Sequence, residues 1–419
     1  MFFTFALISL VSSAVAQDLG VPLSWRELNN SRPLAERITI AQGAINEMTA
    51  QLDASTGEFN GLGYWQSGNV FSVLANQDHL AGTTTNQALV QNNLKLVFGL
   101  WPHYDQFGVS HYLRCVRYND DAMWWAQAAL YGYRAHGDAQ LLANALDVWT
   151  HVTGYVITPA DAAAGNQPNK DFAIESTCNG TRRQLPSLGR APDRGLNPVA
   201  TMAGGVFWRP TTDDTSVNSI TTGLYITLSA FLAEYTGNAT YTNAAILSAN
   251  WIKSHNINAD DLVLDTVDAA DCTTSPATWL FTYNTGKYIE GLSVLAAVTG
   301  DSQWSTLMIN ILNAGVKTTV WQGTNGVITE GASPTSDNDG VGFKAVFIRG
   351  LHEAFTRSPN NSALQILIHS YGDVQYNALL ELAANGSTYS SSWLGPPQAF
   401  TSWGQLAALD VLTSNIDTN

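Results

Sequence analysis

Residues 118–125 read Tyr-Asn-Asp-Asp-Ala-Met-Trp-Trp, placing two neighbouring carboxylates at the mouth of an aromatic-rich helix. Two acids beside flat indoles are the side chains that breaking a sugar–sugar bond requires. One attacks or steadies the anomeric carbon, the other handles the leaving-group proton, and indole faces stack on sugar rings. A helix N-terminus favours an ionised carboxylate and suits a nucleophile. A close second carboxylate among Trp and Tyr is pushed toward its protonated form and suits a general acid. Helix capping by Asn119 or Asp120 is compatible with both roles.

The chain carries two further acidic doublets, Asp213-Asp214 and Asp260-Asp261. Both lie in polar turn sequence, where solvated or capping roles are expected. The Asp120-Asp121 pair differs, since aromatic residues flank it on both sides and an apolar helix follows. A second cluster runs from Gly204 to Pro210, Gly-Gly-Val-Phe-Trp-Arg-Pro. Paired glycines allow close backbone approach, Phe207 and Trp208 offer a stacking surface, and Arg209 supplies a fixed donor fork. A core aromatic pair beside a turn is the alternative. Asp265 follows an apolar run, and Asn284 in Tyr283-Asn284-Thr285-Gly286 either bonds sugar hydroxyls or shapes its turn. Asp337-Asn338-Asp339-Gly340 lacks the closing Glu of a calcium loop. With no phosphate-cradling Gly-Lys motif, no Gly-x-Ser-x-Gly elbow and no HExxH pair, neither a metal nor an organic cofactor is expected.

A formal net charge of -15 argues against nucleic acid or an anionic membrane as partner and fits a neutral polysaccharide. Residues 1–16, MFFTFALISLVSSAVA, read as a signal peptide ending in an A-x-A cleavage site. The polar C-terminus lacks the hydrophobic tail of a lipid-anchor signal. A secreted, extracellular protein is therefore expected, acting as a monomer over residues 17–419 as one catalytic domain. Asn29, Asn179, Asn238, Asn360 and Asn385 stand in glycosylation sequons. Of the three cysteines, Cys178 and Cys272 lie in polar, loop-like surroundings and are the favoured disulfide. Cys115, in the tight Leu113-Arg114-Cys115-Val116 stretch, reads as a buried small hydrophobe.

The elements that must carry these residues are helical. A helix end, a Gly-Asp or Gly-Asn turn and a new amphipathic helix recur at Gly137-Asp138, Gly237-Asn238 and Gly300-Asp301, with a distant copy at residues 354–360. Glycine takes the left-handed conformation that ends one helix, and Asp or Asn caps the next. The later copies are about sixty residues apart, the length of a helical hairpin and its connection. Ile220, Leu224, Leu228, Phe231 and Leu232 share one broad face at helical period. Strand signals are few, chiefly Val327-Ile328-Thr329, and residues 166–198 read as an inserted loop. The expected fold class is all-α, with six helical hairpins forming a barrel.

Asn119-Asp120-Asp121 with Trp124-Trp125, the Gly204-to-Arg209 run, Asp265 ahead of Cys272, and Tyr283-Asn284-Thr285-Gly286 together resemble glycoside hydrolase family 76. That family comprises endo-α-1,6-mannanases with an (α/α)6 barrel. The resemblance implies a retaining hydrolase of α-1,6-mannosidic bonds in mannan, with Asp120 as nucleophile and Asp121 as general acid/base. It further implies substrate contacts at Phe207, Trp208, Arg209 and Asp265, and Trp125, Tyr283 and Asn284 are further candidate contacts. A glycan transglycosylase of the same fold and a non-catalytic glycan-binding protein are the alternatives.

Overall fold

The computed structural model describes residues 18–106, 108–109, 115–178, 200–335 and 337–418, with only the backbone of 108–109 and 115–116. The expected signal segment and Asn179 lie outside these residues, as does the side chain of Cys115.

Six helices are enclosed on nearly every side: α2 (Tyr64–Ala81), α4 (Asn119–His136), α7 (Ser219–Thr236), α9 (Thr282–Thr299), α11 (Asp339–Arg357) and α13 (Ser402–Ser414). Their sequences show why. Every residue of α7 from Ser219 to Ala233 is buried, so its apolar residues form no single stripe. The six close a ring, each packing on the next and α13 returning to α2.

A second set encircles them: α1 (Leu34–Thr49), α3 (Gln87–Leu100), α5 (Ala139–Thr153), α8 (Ala239–His255), α10 (Ser302–Lys317) and α12 (Ser362–Ala378). These are amphipathic. Helix α5 buries Leu141, Ala145, Val148, Trp149 and Val152, a stripe at helical period. The architecture is a mostly helical (α/α)6 barrel. One short extra helix, α6 (Pro159–Ala164), lies in the long connection between α5 and α7.

The repeated turns join inner helices to outer ones. Gly137, Gly237 and Gly300 end α4, α7 and α9 with φ of 69°, 65° and 66°. Asp138, Asn238 and Asp301 then accept from backbone N–H groups of α5, α8 and α10. Gly82 ends α2 in the same way with φ 64°. The distant copy departs from the pattern: Ser358 follows α11 with φ -119°, and Asn361 caps α12.

Inner helices approach closely where side chains vanish. A Cβ on Gly350 of α11 would lie 2.0 Å from the Gly286 carbonyl oxygen of α9, so only hydrogen fits there.

Strands are short. β1 (Gly108–Val109) pairs with β2 (Cys115–Val116), β3 (Ser216–Asn218) with β4 (Thr266–Asp268), and β5 (Ala384–Asn385) with β6 (Thr388–Tyr389), all antiparallel. The expected strand at 327–329 is an isolated bridge between Gln322 and Ile328. Cys178 and Cys272 form a disulfide with Cα atoms 5.5 Å apart. Among the described residues, no helix is long and apolar enough to cross a membrane.

Candidate active site

The starts of α2, α4, α7, α9 and α11 converge on one cavity of about 870 Å³. The carboxylates of Asp120 and Asp121, in the first turn of α4, line it. That turn is docked on the Gly204–Pro210 segment: Asn119 donates through its backbone N–H to the Trp208 carbonyl (2.8 Å) and through Nδ2 to the Phe207 carbonyl (2.8 Å). The indole N–H of Trp208 then donates to Asp120 Oδ2 at 3.3 Å.

The two acids are not equivalent. Burial pushes Asp120 up to about 7, against the backbone N–H groups of Asp120 and Asp121 and the Trp208 indole, which favour its charge. Burial raises Asp121 well above the carboxylate range, and the negative charges of Asp120, Asp339 and Asp105 raise it further. The helix start alone would favour an ionised Asp120; enclosure by the aromatic wall outweighs it. Asp121 is the better proton holder, because no donor among the described residues opposes its protonation.

Asp265 stands on another wall. Asn284 Nδ2 donates to its Oδ1 at 2.9 Å and Thr266 Oγ1 to its Oδ2 at 2.9 Å, while burial raises its pKa. Tyr283 lines the cavity with its ring stacked on Phe343 at 3.7 Å between centroids. Trp65 continues this aromatic band, 6.2 Å from Phe343 and 5.5 Å from Trp124.

Several expected contacts lie behind the wall. Trp125 is fully buried, its indole donating to the Tyr64 carbonyl at 3.1 Å; Trp124 faces the cavity instead. Trp124 is four residues after Asp120 and shares its helix face, a spacing that distinguishes the two indoles. The Phe207 ring is also fully buried, with Lys170 Nζ 4.1 Å from its centroid. Arg209 packs behind Trp208 and Tyr118, at 4.3 and 4.9 Å from their ring centroids, bracing the wall. Asn284 is fully buried and reaches the cavity only through Asp265.

The start of α2 gives no signal in the sequence, and Asp339 stands out there only within the Asp337–Gly340 stretch that lacks the closing Glu of a calcium loop. Asp339 Oδ1 accepts from Trp65 Nε1 (3.3 Å) and Gln66 Nε2 (3.1 Å), joining α11 to α2 across the rim. The other doublets are elsewhere: Asp214 accepts from the Arg209 N–H (3.2 Å), and Asp260-Asp261 occupies an exposed turn after α8. Among the described residues, no group of three or more His, Cys, Asp or Glu side chains is arranged to hold a metal ion.

A helical barrel whose inner-helix N-termini present adjacent carboxylates in an aromatic cleft defines a class of carbohydrate-active proteins. The model for glycosyl hydrolase family 76 matches residues 199–418, and the chain belongs to that family. It is 32% identical over 140 residues to Mannan endo-1,6-alpha-mannosidase DCW1 of Saccharomyces cerevisiae, covering 32% of this chain and 30% of that protein. It is 26% identical over 298 residues to the Candida glabrata protein of the same name, covering 63% of this chain and 65% of that one. The matched stretches thus span less than two thirds of either relative. An inactive alpha-1,6-mannanase variant, GH76A of Salegentibacter sp. HEL1_6, with two consecutive aspartates replaced and bound to alpha-1,6-mannotriose, shares the fold. The TM-score is 0.70 at 16% identity, covering 91% of this chain and 100% of that one.

Proposed function

We propose that this protein is a secreted retaining glycoside hydrolase that cleaves α-1,6-mannosidic bonds in mannan, the fungal cell-wall polysaccharide. The observation that carries the reading is the unequal Asp120–Asp121 pair at the start of α4, facing an aromatic cavity. The activity for which the relatives are named, and the paired aspartates replaced in the inactive mannanase, support it.

Asp120, ionised, attacks the anomeric carbon while Asp121 gives its proton to the departing glycosidic oxygen. The bond to the leaving sugar breaks and a glycosyl ester forms on Asp120. Asp121, now charged, takes a proton from water, whose oxygen attacks the same carbon and frees Asp120. Neighbouring residues at a helix start suit this route, since retention needs carboxyl groups only about 5–5.5 Å apart. The Trp208 indole fixes the rotamer of Asp120, and the aromatic band offers flat faces to the sugars. Secretion is supported by the N-terminal apolar segment, the disulfide and the exposed asparagines Asn29, Asn238, Asn360 and Asn385.

Incubation with linear α-1,6-mannan is expected to release mannooligosaccharides whose new reducing ends keep the α-configuration by NMR. Asp120→Asn should reduce turnover to background. Asp121→Asn should lower it about 10²–10⁴-fold, less for a substrate whose leaving group needs no proton. Inverted products, or full activity in Asp120→Asn, would refute the mechanism, and exclusive cleavage of another glycan would refute the substrate.

A further inference from the structure

Of the thirteen tryptophans, all within the described residues, Trp279 alone has about half its surface (49%) in water. It stands where the cavity opens, on a wall that also includes Asp268, Thr273, Thr274 and Ser275. The reaction at Asp120 and Asp121 uses none of these residues. A lone exposed apolar side chain needs no explanation in itself; one that lines a sugar-sized cavity beside a row of hydroxyls does.

The wall is rigidly held. Ser275 N–H donates to the Thr266 carbonyl at 2.8 Å, and its hydroxyl accepts from Thr266 N–H at 3.1 Å. Asp268 N–H donates to the Thr273 carbonyl (2.8 Å), and Trp279 N–H to the Pro276 carbonyl (2.8 Å), closing two turns. Cys272, at the base of this segment, is bound to Cys178, and Glu175 N–H donates to the Ala269 carbonyl at 2.9 Å beside it. The backbone that carries the indole is therefore held in place before any ligand arrives, which lowers the ordering cost of binding.

We propose that Trp279, with the hydroxyls of Thr273, Thr274 and Ser275, forms an outer subsite for a neutral pyranose unit of a bound chain. The indole meets the apolar C–H face of the ring, while the hydroxyl row meets its polar edge. The subsite rests on the reading of the cavity as a mannan-binding cleft. It makes binding depend on chain length: a long oligosaccharide reaches Trp279, whereas a disaccharide held near Asp120 and Asp121 does not.

The test measures dissociation constants for α-1,6-mannotetraose and α-1,6-mannobiose by titration calorimetry on the full chain carrying Asp120→Asn, with and without Trp279→Ala. Trp279→Ala is expected to reduce the preference for tetraose over biose roughly two- to tenfold, and Trp279→Phe to restore part of it. An unchanged preference, or equal weakening for both lengths, would overturn the subsite while leaving the mannan reading intact. Failure of the Trp279-containing protein to bind either length would overturn the mannan reading and the subsite with it.

Discussion

At the scale of single residues, the site turns on how one proton is shared. Asp120 and Asp121 titrate as a pair, and activity needs the form with one proton, giving a bell-shaped pH profile. Asp339 raises both members through its negative charge. Replacing it by Asn keeps an oxygen for Trp65 and Gln66 but removes that charge. Losing a negative neighbour makes each carboxyl easier to ionise, so both pKa values fall. Both limbs of the kcat/KM profile of Asp339→Asn are therefore expected to move to lower pH. A profile that stays put or moves to higher pH would show that Asp339 does not tune the pair. The doublet itself is legible in the sequence because aromatic neighbours set it apart from Asp213-Asp214 and Asp260-Asp261. Its electrostatic partner is not, since Asp339 lies more than two hundred residues away and meets the pair only through barrel closure.

At the scale of elements, Gly-Asp and Gly-Asn turns can be read from sequence because the conformation and the capping bond are local. An inner-helix start that is capped by a distant segment is less legible, although α7 is capped locally by Asn218. Helix α9 shows this. Its N-cap Phe281 offers no side-chain acceptor. Glu330 instead accepts from the Thr282 N–H at 3.0 Å and from the Thr282 hydroxyl, and burial raises its pKa to about 7. The Glu330 carbonyl also receives Lys344 Nζ of α11 at 3.0 Å. One residue thus anchors the two helices that carry the stacked Tyr283 and Phe343. Glu330→Ala is expected to cost about 1–2 kcal/mol of stability by losing this cap. It should also raise KM, because Tyr283 and Asn284 shift together. Glu330→Gln, which retains an acceptor, should restore most of both. Denaturant melts and steady-state kinetics on the three proteins decide it; equal behaviour of Ala and Gln would sink the capping role.

At the scale of the whole molecule, the barrel axis below the cavity is polar. Lys287 and Glu290, both fully buried on α9, pair at 2.6 Å, and the Tyr131 hydroxyl of α4 also donates to Glu290. Arg349 of α11 forks onto Asp410 of α13 at 2.8 Å through both Nε and Nη2, and Nη1 reaches Asn69 of α2 at 2.6 Å. The Thr227 hydroxyl of α7 lies 3.4 Å from the Lys287 carbonyl. All six inner helices therefore meet in buried hydrogen bonds whose geometry fixes their rotation. Burial pulls the Lys287 pKa down, and Glu290 opposes this. Replacing an entire buried ion pair can cost little, but removing one partner strands the other. Lys287→Met is accordingly expected to lose about 3–5 kcal/mol in urea unfolding, because the Glu290 carboxylate is left without its cation. The paired change Lys287→Met with Glu290→Gln should recover much of that loss, since an amide still accepts from Tyr131 and carries no charge. Lys287 Nζ lies 5.0 Å from the Trp124 ring centroid at the cavity wall, so the single variant should lose activity as well as stability. If the double variant is no more stable than the single, the pair is not the coupled unit that its geometry describes.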